Sequence, residues 1–135
     1  MILADTSAWV DYDRGNCSPA HLQLAALIAE GGHGLVVTEP VLMEVLAGAK
    51  NSGDYEQLRS LLTSLAWIPV DPIADFEGAA QVYRGCRRRG VTPRGMIDCM
   101  IATIALRVGA EVLTTDQDMR RIADVFPLRL ASAAP

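Results

Sequence analysis

The chain has 135 residues and a net charge of −4; half of it is hydrophobic, yet only 5% is aromatic. This length predicts one domain over residues 1–135, with an aliphatic core large enough to fold without disulfides. No apolar run reaches the 18 residues of a membrane span and Met1–Asp5 lacks the basic opening of an export signal, so a soluble, cytoplasmic protein is expected. Cys17, Cys86 and Cys99 are odd in number and contain no C-x-x-C pair. With His21 and His33 they match no zinc-ligand spacing, which argues against a disulfide framework and against structural zinc.

The pattern then alternates short apolar strands with longer helices. Ile2–Asp5 reads as a strand running into a capped turn, and a brief helix from Ser7 to about Asp13 follows. Ser18-Pro19 opens a helix to Glu30, ended by Gly31-Gly32. Gly34–Val37 is a buried strand, and Thr38 caps a helix to about Ala47. A helix over Asp54–Leu65, a strand over Trp67–Val70 and a helix from Asp71-Pro72 to about Arg89 come next. After the loop Gly90–Pro93 a helix opens at Thr92-Pro93 or just beyond and runs to about Val108, with Ile97, Met100, Ile101, Ile104 and Val108 as its stripe. Glu111–Thr114 is a strand, Asp116–Asp124 a helix and Leu128–Leu130 a last strand. The alternation implies an α/β fold, a three-layer α/β/α sandwich with a central, mainly parallel sheet.

In such a sheet, ligands collect outside the carboxyl ends of the strands. Asp5 ends the first strand and Asp116 follows the strand Glu111–Thr114, so both belong at that end. Helix N-terminal turns return there as well, bringing Asp98 and Glu44 from their own helices. Glu44 in Val-Leu-Met-Glu-Val-Leu and Asp98 in Met-Ile-Asp-Cys-Met-Ile have apolar neighbours, a costly setting for a carboxylate without a partner or cation. Taken singly, Asp5 and Asp116 read most simply as helix caps. Glu44 and Asp98 read equally well as helix-face acids paired with an arginine, Arg94 to Asp98 at i, i+4 for example. The convergence of all four favours a site. An oxygen-only donor set without His or Cys suits Mg²⁺ or Mn²⁺, and such a centre is well matched to phosphate esters.

Basic residues are unevenly placed. Residues 84–94 hold Arg84, Arg87, Arg88, Arg89 and Arg94 and no acid, leaving −9 on the rest of the chain. Arg84, Arg87, Arg88 and Arg94 are candidate contacts to a polyanionic backbone, with Arg94 placed nearest the acids; the plainer reading is a solvated helix face.

Four blocks carry a family resemblance: Ile-Leu-Ala-Asp5-Thr-Ser-Ala-Trp-Val, Thr38-Glu-Pro-Val-Leu-Met-Glu44-Val-Leu-Ala-Gly, Ile97-Asp98-Cys-Met-Ile-Ala, and Val112-Leu-Thr-Thr-Asp116-Gln-Asp118-Met. In order and spacing the chain resembles PIN-domain nucleases, most closely the VapC toxins of bacterial toxin–antitoxin pairs. The resemblance implies a Mg²⁺- or Mn²⁺-dependent endoribonuclease, with Asp5, Glu44, Asp98 and Asp116 as the acidic cluster and Asp118 as an additional candidate ligand. It also implies that Thr6, Ser7 and Thr114 support that cluster through their hydroxyls. The implied chemistry is in-line attack of a metal-bound water on an RNA phosphodiester. Its implied partners are RNA, a cognate antitoxin and a second copy of the chain, in a homodimer or, with antitoxin, a heterotetramer or larger assembly. Met119 stands where the family often has Phe, a departure that touches packing. Two other acid-ended sheets fit poorly: a receiver domain needs a late lysine, and Lys50 is misplaced; a haloacid-dehalogenase-type phosphatase needs Asp-x-Asp, and position 7 is Ser. The alternative from another class is a PIN-like module that binds RNA or protein without cutting.

Overall fold

The computed structural model describes residues 1–131. Its strands are β1 (Ile2–Ala4), β2 (Leu35–Val37), β3 (Ala66–Trp67) and β4 (Glu111–Leu113). Its helices are α1 (Thr6–Arg14), α2 (Pro19–Ala29), α3 (Glu39–Ala47), α4 (Ser52–Thr63), α5 (Pro72–Arg88), α6 (Met96–Val108) and α7 (Gln117–Val125). All pairings are parallel, in the spatial order β3-β2-β1-β4. The chain steps outward from β1 to β2 to β3, then returns across the sheet to place β4 on the other side of β1. Right-handed crossovers therefore put α1 to α4 on one face and α5 to α7 on the other, giving the expected three layers. The reversal makes the crevice between the ends of β1 and β4 the topological switch point of the sheet.

The strands are short: β2 is wholly buried, β1 and β4 are buried after their first residues, and β3 at the edge of the sheet is exposed at Ala66 and partly buried at Trp67. Local chemistry explains where boundaries depart from the sequence-based expectation. β3 stops at Trp67 because Pro69 has no N–H to extend the ladder; Ile68 still donates to the Val37 carbonyl at 2.8 Å. Asn51, whose Oδ1 accepts from the Asp54 N–H at 2.9 Å, starts α4 two residues earlier than expected. Thr38 is the residue before α3, but its side chain makes no capping bond and instead donates to Glu39. α6 begins only at Met96, after the uncapped turn at Gly95. The expected strand at Leu128–Leu130 reduces to a single parallel bridge between Val112 and Leu130, because Pro127 carries no donor and only Arg129 and Ala131 bond to β4.

α5 and α6 form an antiparallel pair on one face. Gly78 lies against Thr103, and at Gly85 an added Cβ would come within 2.6 Å of the Phe126 ring, so the missing side chain lets Phe126 seat on α5. The far end of the pair is fixed by a bidentate bridge that the sequence did not foretell. Arg107 Nε and Nη2 donate to the buried Asp75 carboxylate at 2.9 and 2.8 Å, and Nη2 also reaches the Pro69 carbonyl at 3.1 Å. Burial pushes the Asp75 carboxyl up, but the Arg107 bonds and the Asp71 N–H outweigh it and hold the group below the usual carboxylate range. The bridge is therefore stabilising above the unfolded-state carboxylate pKa of about 4 and is lost as pH falls through the lower folded value. Arg107→Met strands a buried carboxylate and should cost about 3 kcal/mol near neutrality. Urea unfolding should show that deficit in full at about pH 7 and shrinking as the pH falls into the acid range, where the stranded carboxyl, pushed up by burial, takes up a proton before the paired one does.

Candidate metal centre

Each element that ends at the switch point delivers an acid there. β1 continues into Asp5, held to the sheet by its N–H bond to the Leu113 carbonyl at 3.0 Å. The Asp5 carboxylate caps α1, accepting from the Ala8 N–H at 3.1 Å and from Ser7 Oγ at 2.6 Å. Asp116 follows β4 and caps α7, accepting from the Asp118 N–H at 2.8 Å. Asp98 lies in the first turn of α6. Glu44 lies in α3, where Thr6 Oγ1 donates to its Oε1 at 2.5 Å. The caps expected of Asp5 and Asp116 are real, and they orient carboxylates that also converge.

The hydroxyls form the scaffold between the strands. Ser7 Oγ accepts from the Thr115 N–H at 2.9 Å and lies 3.3 Å from Thr114 Oγ1, which in turn accepts from the Asp116 N–H at 2.9 Å. Ser7 and Thr114 thus tie the end of β1 to the end of β4, while Thr6 ties α1 to α3. All three candidate supporting hydroxyls contact the acidic cluster directly or through its backbone.

The charges are compensated unequally. Asp118 is almost fully buried, with its side chain 1% exposed, and it accepts from Arg94 N–H at 2.8 Å, Arg94 Nε at 3.1 Å and Arg121 Nη1 at 3.3 Å. Burial pushes its carboxyl up, but these donors prevail and hold it below the ordinary range. Arg94 also reaches Asp116, through Nη2 at 3.4 Å. The i, i+4 pair of Arg94 with Asp98 does not form, because Arg94 precedes α6 and turns toward α7 instead. Asp5 is pushed up, chiefly by burial, despite its bonds from Ser7 and Ala8. Asp98 accepts no hydrogen bond among the described residues, and burial together with the charges of Asp116, Asp5, Glu44 and Asp118 pushes it up to about 7.

This donor set fits a hard divalent cation. One carboxylate oxygen from each of Asp98, Asp116 and Asp118 lies within 4.8 Å of the others, and the Asp5 and Glu44 charges also bear on Asp98. The donors are all oxygens, the preference of Mg²⁺ and Mn²⁺. Asp98 and Asp116 are the freer of the three; Asp118 has both oxygens engaged by arginines. Asp118 is thus near enough to be the candidate ligand expected of it, but its buried bond to Arg94 emerges only from the tertiary structure. In the sequence the two residues stand 24 positions apart, so nothing local marked the pair.

Arg84, Arg87 and Arg88 stand apart from the acids. They lie on the last turns of α5, where Arg84 and Arg88 line a groove with Gln81 and Phe126 and, with Arg87, an adjoining hollow. Of the candidate backbone contacts, only Arg94 reaches the acidic cluster.

A family model for the PIN domain matches residues 2–125. Ribonuclease VapC11 of Mycobacterium tuberculosis is 40% identical over 132 residues, covering 98% of each chain, and ribonuclease VapC19 of the same organism is 34% identical over 118 residues, covering 86% of this chain and 89% of the relative. The solved structure of VapBC2 from Rickettsia felis bound to a promoter DNA fragment superposes with a TM-score of 0.71 at 20% identity, covering 97% of this chain and 98% of that one. This chain belongs to the PIN-domain family, in its VapC branch.

If the repulsion at Asp98 is what a cation relieves, neutralising it should mimic the cation. Asp98→Asn should raise the Tm of EDTA-treated protein by several degrees, each kcal/mol being worth about 4 °C in a domain of this size. The same variant should lose most of the Tm increase that Mg²⁺ or Mn²⁺ gives the parent protein. Differential scanning fluorimetry with and without the ions checks both.

Proposed function

We propose that this chain is a Mg²⁺- or Mn²⁺-dependent endoribonuclease that acts in the cytoplasm as the toxin of a toxin–antitoxin pair. The observation that carries the reading is the close approach of Asp98, Asp116 and Asp118 beside the end of β4, with the charges of Asp5 and Glu44 also bearing on Asp98. The names of the VapC ribonucleases to which the chain is similar support the same activity.

Asp5, Glu44, Asp98 and Asp116 would hold the cation, with Asp118 at its margin. When bound, the ion polarises a phosphate oxygen and lowers the pKa of water, chemistry that needs no histidine. Ser7 and Thr114 keep Asp5 and Asp116 at a fixed separation, and Thr6 turns Glu44 toward the same space. Arg94, fixed by Asp118 and 76% exposed, keeps Nη1 free of any acceptor among the described residues. It is placed to bind a non-bridging oxygen of the RNA strand at the rim of the acidic cluster.

Protein partners have a surface to bind. The exposed side chains of Met43 and Phe76 line an apolar groove of about 540 Å³ with Pro40, Val70, Pro72, Ile97 and Met100, and Ile73 and Met96, next in sequence to Pro72 and Ile97, are exposed as well. A patch of this kind on a small protein marks an interface. It supports an assembly with a second copy of the chain and with a cognate antitoxin, as a heterotetramer or larger. The VapBC and FitAB complexes among the structural neighbours point the same way.

Antitoxin-free protein should cut RNA with Mg²⁺ or Mn²⁺ and stop with EDTA. Asp98→Asn should reduce cleavage by more than about a hundredfold, since losing even a supporting partner of a metal ligand costs about ten- to a hundredfold. Ser7→Ala and Thr6→Val should fall within that smaller range. Asp5→Asn is the better probe at position 5, because Asp5→Ala also removes the α1 cap, worth about 1 kcal/mol. Full cleavage by Asp98→Asn would overturn the reading; RNA binding without cutting by the parent protein would favour the non-cleaving module.

A further inference from the structure

The groove between α5 and α7 is the second chemically distinctive surface of the molecule. Gln81, Arg84 and Arg88 project from one face of α5, Arg87 sits beside them, and Phe126 closes the groove from the end of α7. All three arginines are exposed, and none takes part in an ion pair among the described residues, whereas Arg94, Arg107, Arg121 and Arg129 each do. Arg87 is held over the Tyr83 ring at 5.8 Å. Basic residues at the end of a helix favour its dipole, but that effect is worth little at the surface and does not require them to share one groove. Three uncompensated guanidiniums exposed at the end of one helix, two of them beside the partly buried Phe126 ring, make a site for a polyanion.

Position decides which polyanion. α7 runs from Asp116 at the acidic cluster to Phe126 at the groove, roughly 15 Å at the rise of a helix. That is the reach of a few nucleotides. The loop from α5 to α6 leads from the arginine-bearing end of α5 to Arg94, which borders the cluster. Elsewhere the chain carries −9 and repels a nucleic acid. An acidic protein segment would also satisfy the arginines, but nothing would require its site to lead to the cation centre.

We propose that Arg84, Arg87 and Arg88 form a docking site for the phosphate backbone of single-stranded RNA, a few nucleotides from the bond to be cut. The inference rests on the ribonuclease reading and deepens it. The site positions the strand and supplies affinity; it takes no part in the bond-breaking step.

The test uses Asp98→Asn protein, so that the probe survives, and measures fluorescence anisotropy of a labelled oligouridylate across a salt series. Replacing Arg84, Arg87 and Arg88 together by Gln should weaken binding about tenfold or more at low salt. It should also flatten the plot of log affinity against log salt by about 2, near 0.7 for each phosphate that is no longer neutralised. The corresponding triple Lys variant should restore the slope, and circular dichroism should be unchanged in both. An unchanged slope in the Gln variant, while the parent enzyme still cleaves RNA, would overturn the docking site and leave the nuclease standing. Loss of binding to polyglutamate but not to oligouridylate would also overturn it, in favour of a protein ligand. Absence of both cleavage and RNA binding in the parent protein would remove the two readings together.

Discussion

Repulsion among carboxylates gathered at one edge of a parallel sheet is the constraint around which this molecule is organised. β1 and β4 are neighbours whose ends open the switch-point crevice, and each is followed closely by an aspartate. α6 adds Asp98 and α3 adds Glu44. Such a cluster disfavours the folded state unless positive charge, hydrogen bonds or a cation offset it. The fold supplies the first two for some of the acids and leaves the third to be bound.

The division is visible in the partners. Asp118 is fully served by Arg94 and Arg121, and Asp5 and Asp116 are served by backbone donors at the starts of α1 and α7. These bonds hold the carboxylates still. Asp98 has no donor among the described residues, and its carboxyl is the one pushed up to about 7. A site in which every acid was satisfied would have no affinity left for a cation, and one in which none was satisfied would not fold. The Ser7–Thr114 contact has a related role, since it couples the two strand ends that fix the spacing of Asp5 and Asp116.

The same economy of charge shapes the outer surface. Several arginines outside the segment 84–94 answer a particular acid or carbonyl: Arg107 answers Asp75, Arg121 answers Asp118, and Arg129 answers Glu111 and the Gly109 carbonyl. Arg94 is bound to the cluster it borders. Arg84, Arg87 and Arg88 are left facing a groove, and the apolar groups around Met43 and Phe76 are left facing outward on another side. Surplus positive charge and surplus apolar surface therefore occupy different places, which suits two different kinds of partner.

The alternation of strands and helices and the parallel sheet were legible in the sequence alone, because strand burial, helix periodicity and caps are local and the end of a parallel strand has only one direction. For Asp5, Glu44, Asp98 and Asp116 the sequence allowed a common end of the sheet, and packing decided which acids approach closely. The sequence also marked Arg94 as the arginine nearest the acids. What it left open was which groups pair across the fold. The Arg94–Asp118 and Arg107–Asp75 bridges join residues 24 and 32 positions apart and follow from how α6 packs against α7 and α5. The single-residue pairing at Leu130, the early end of β3 before Pro69 and the separation of Arg84, Arg87 and Arg88 from Arg94 have the same origin. Each depends on distances between elements, and a side chain on a helix can turn toward several neighbours with equal local cost until packing selects one.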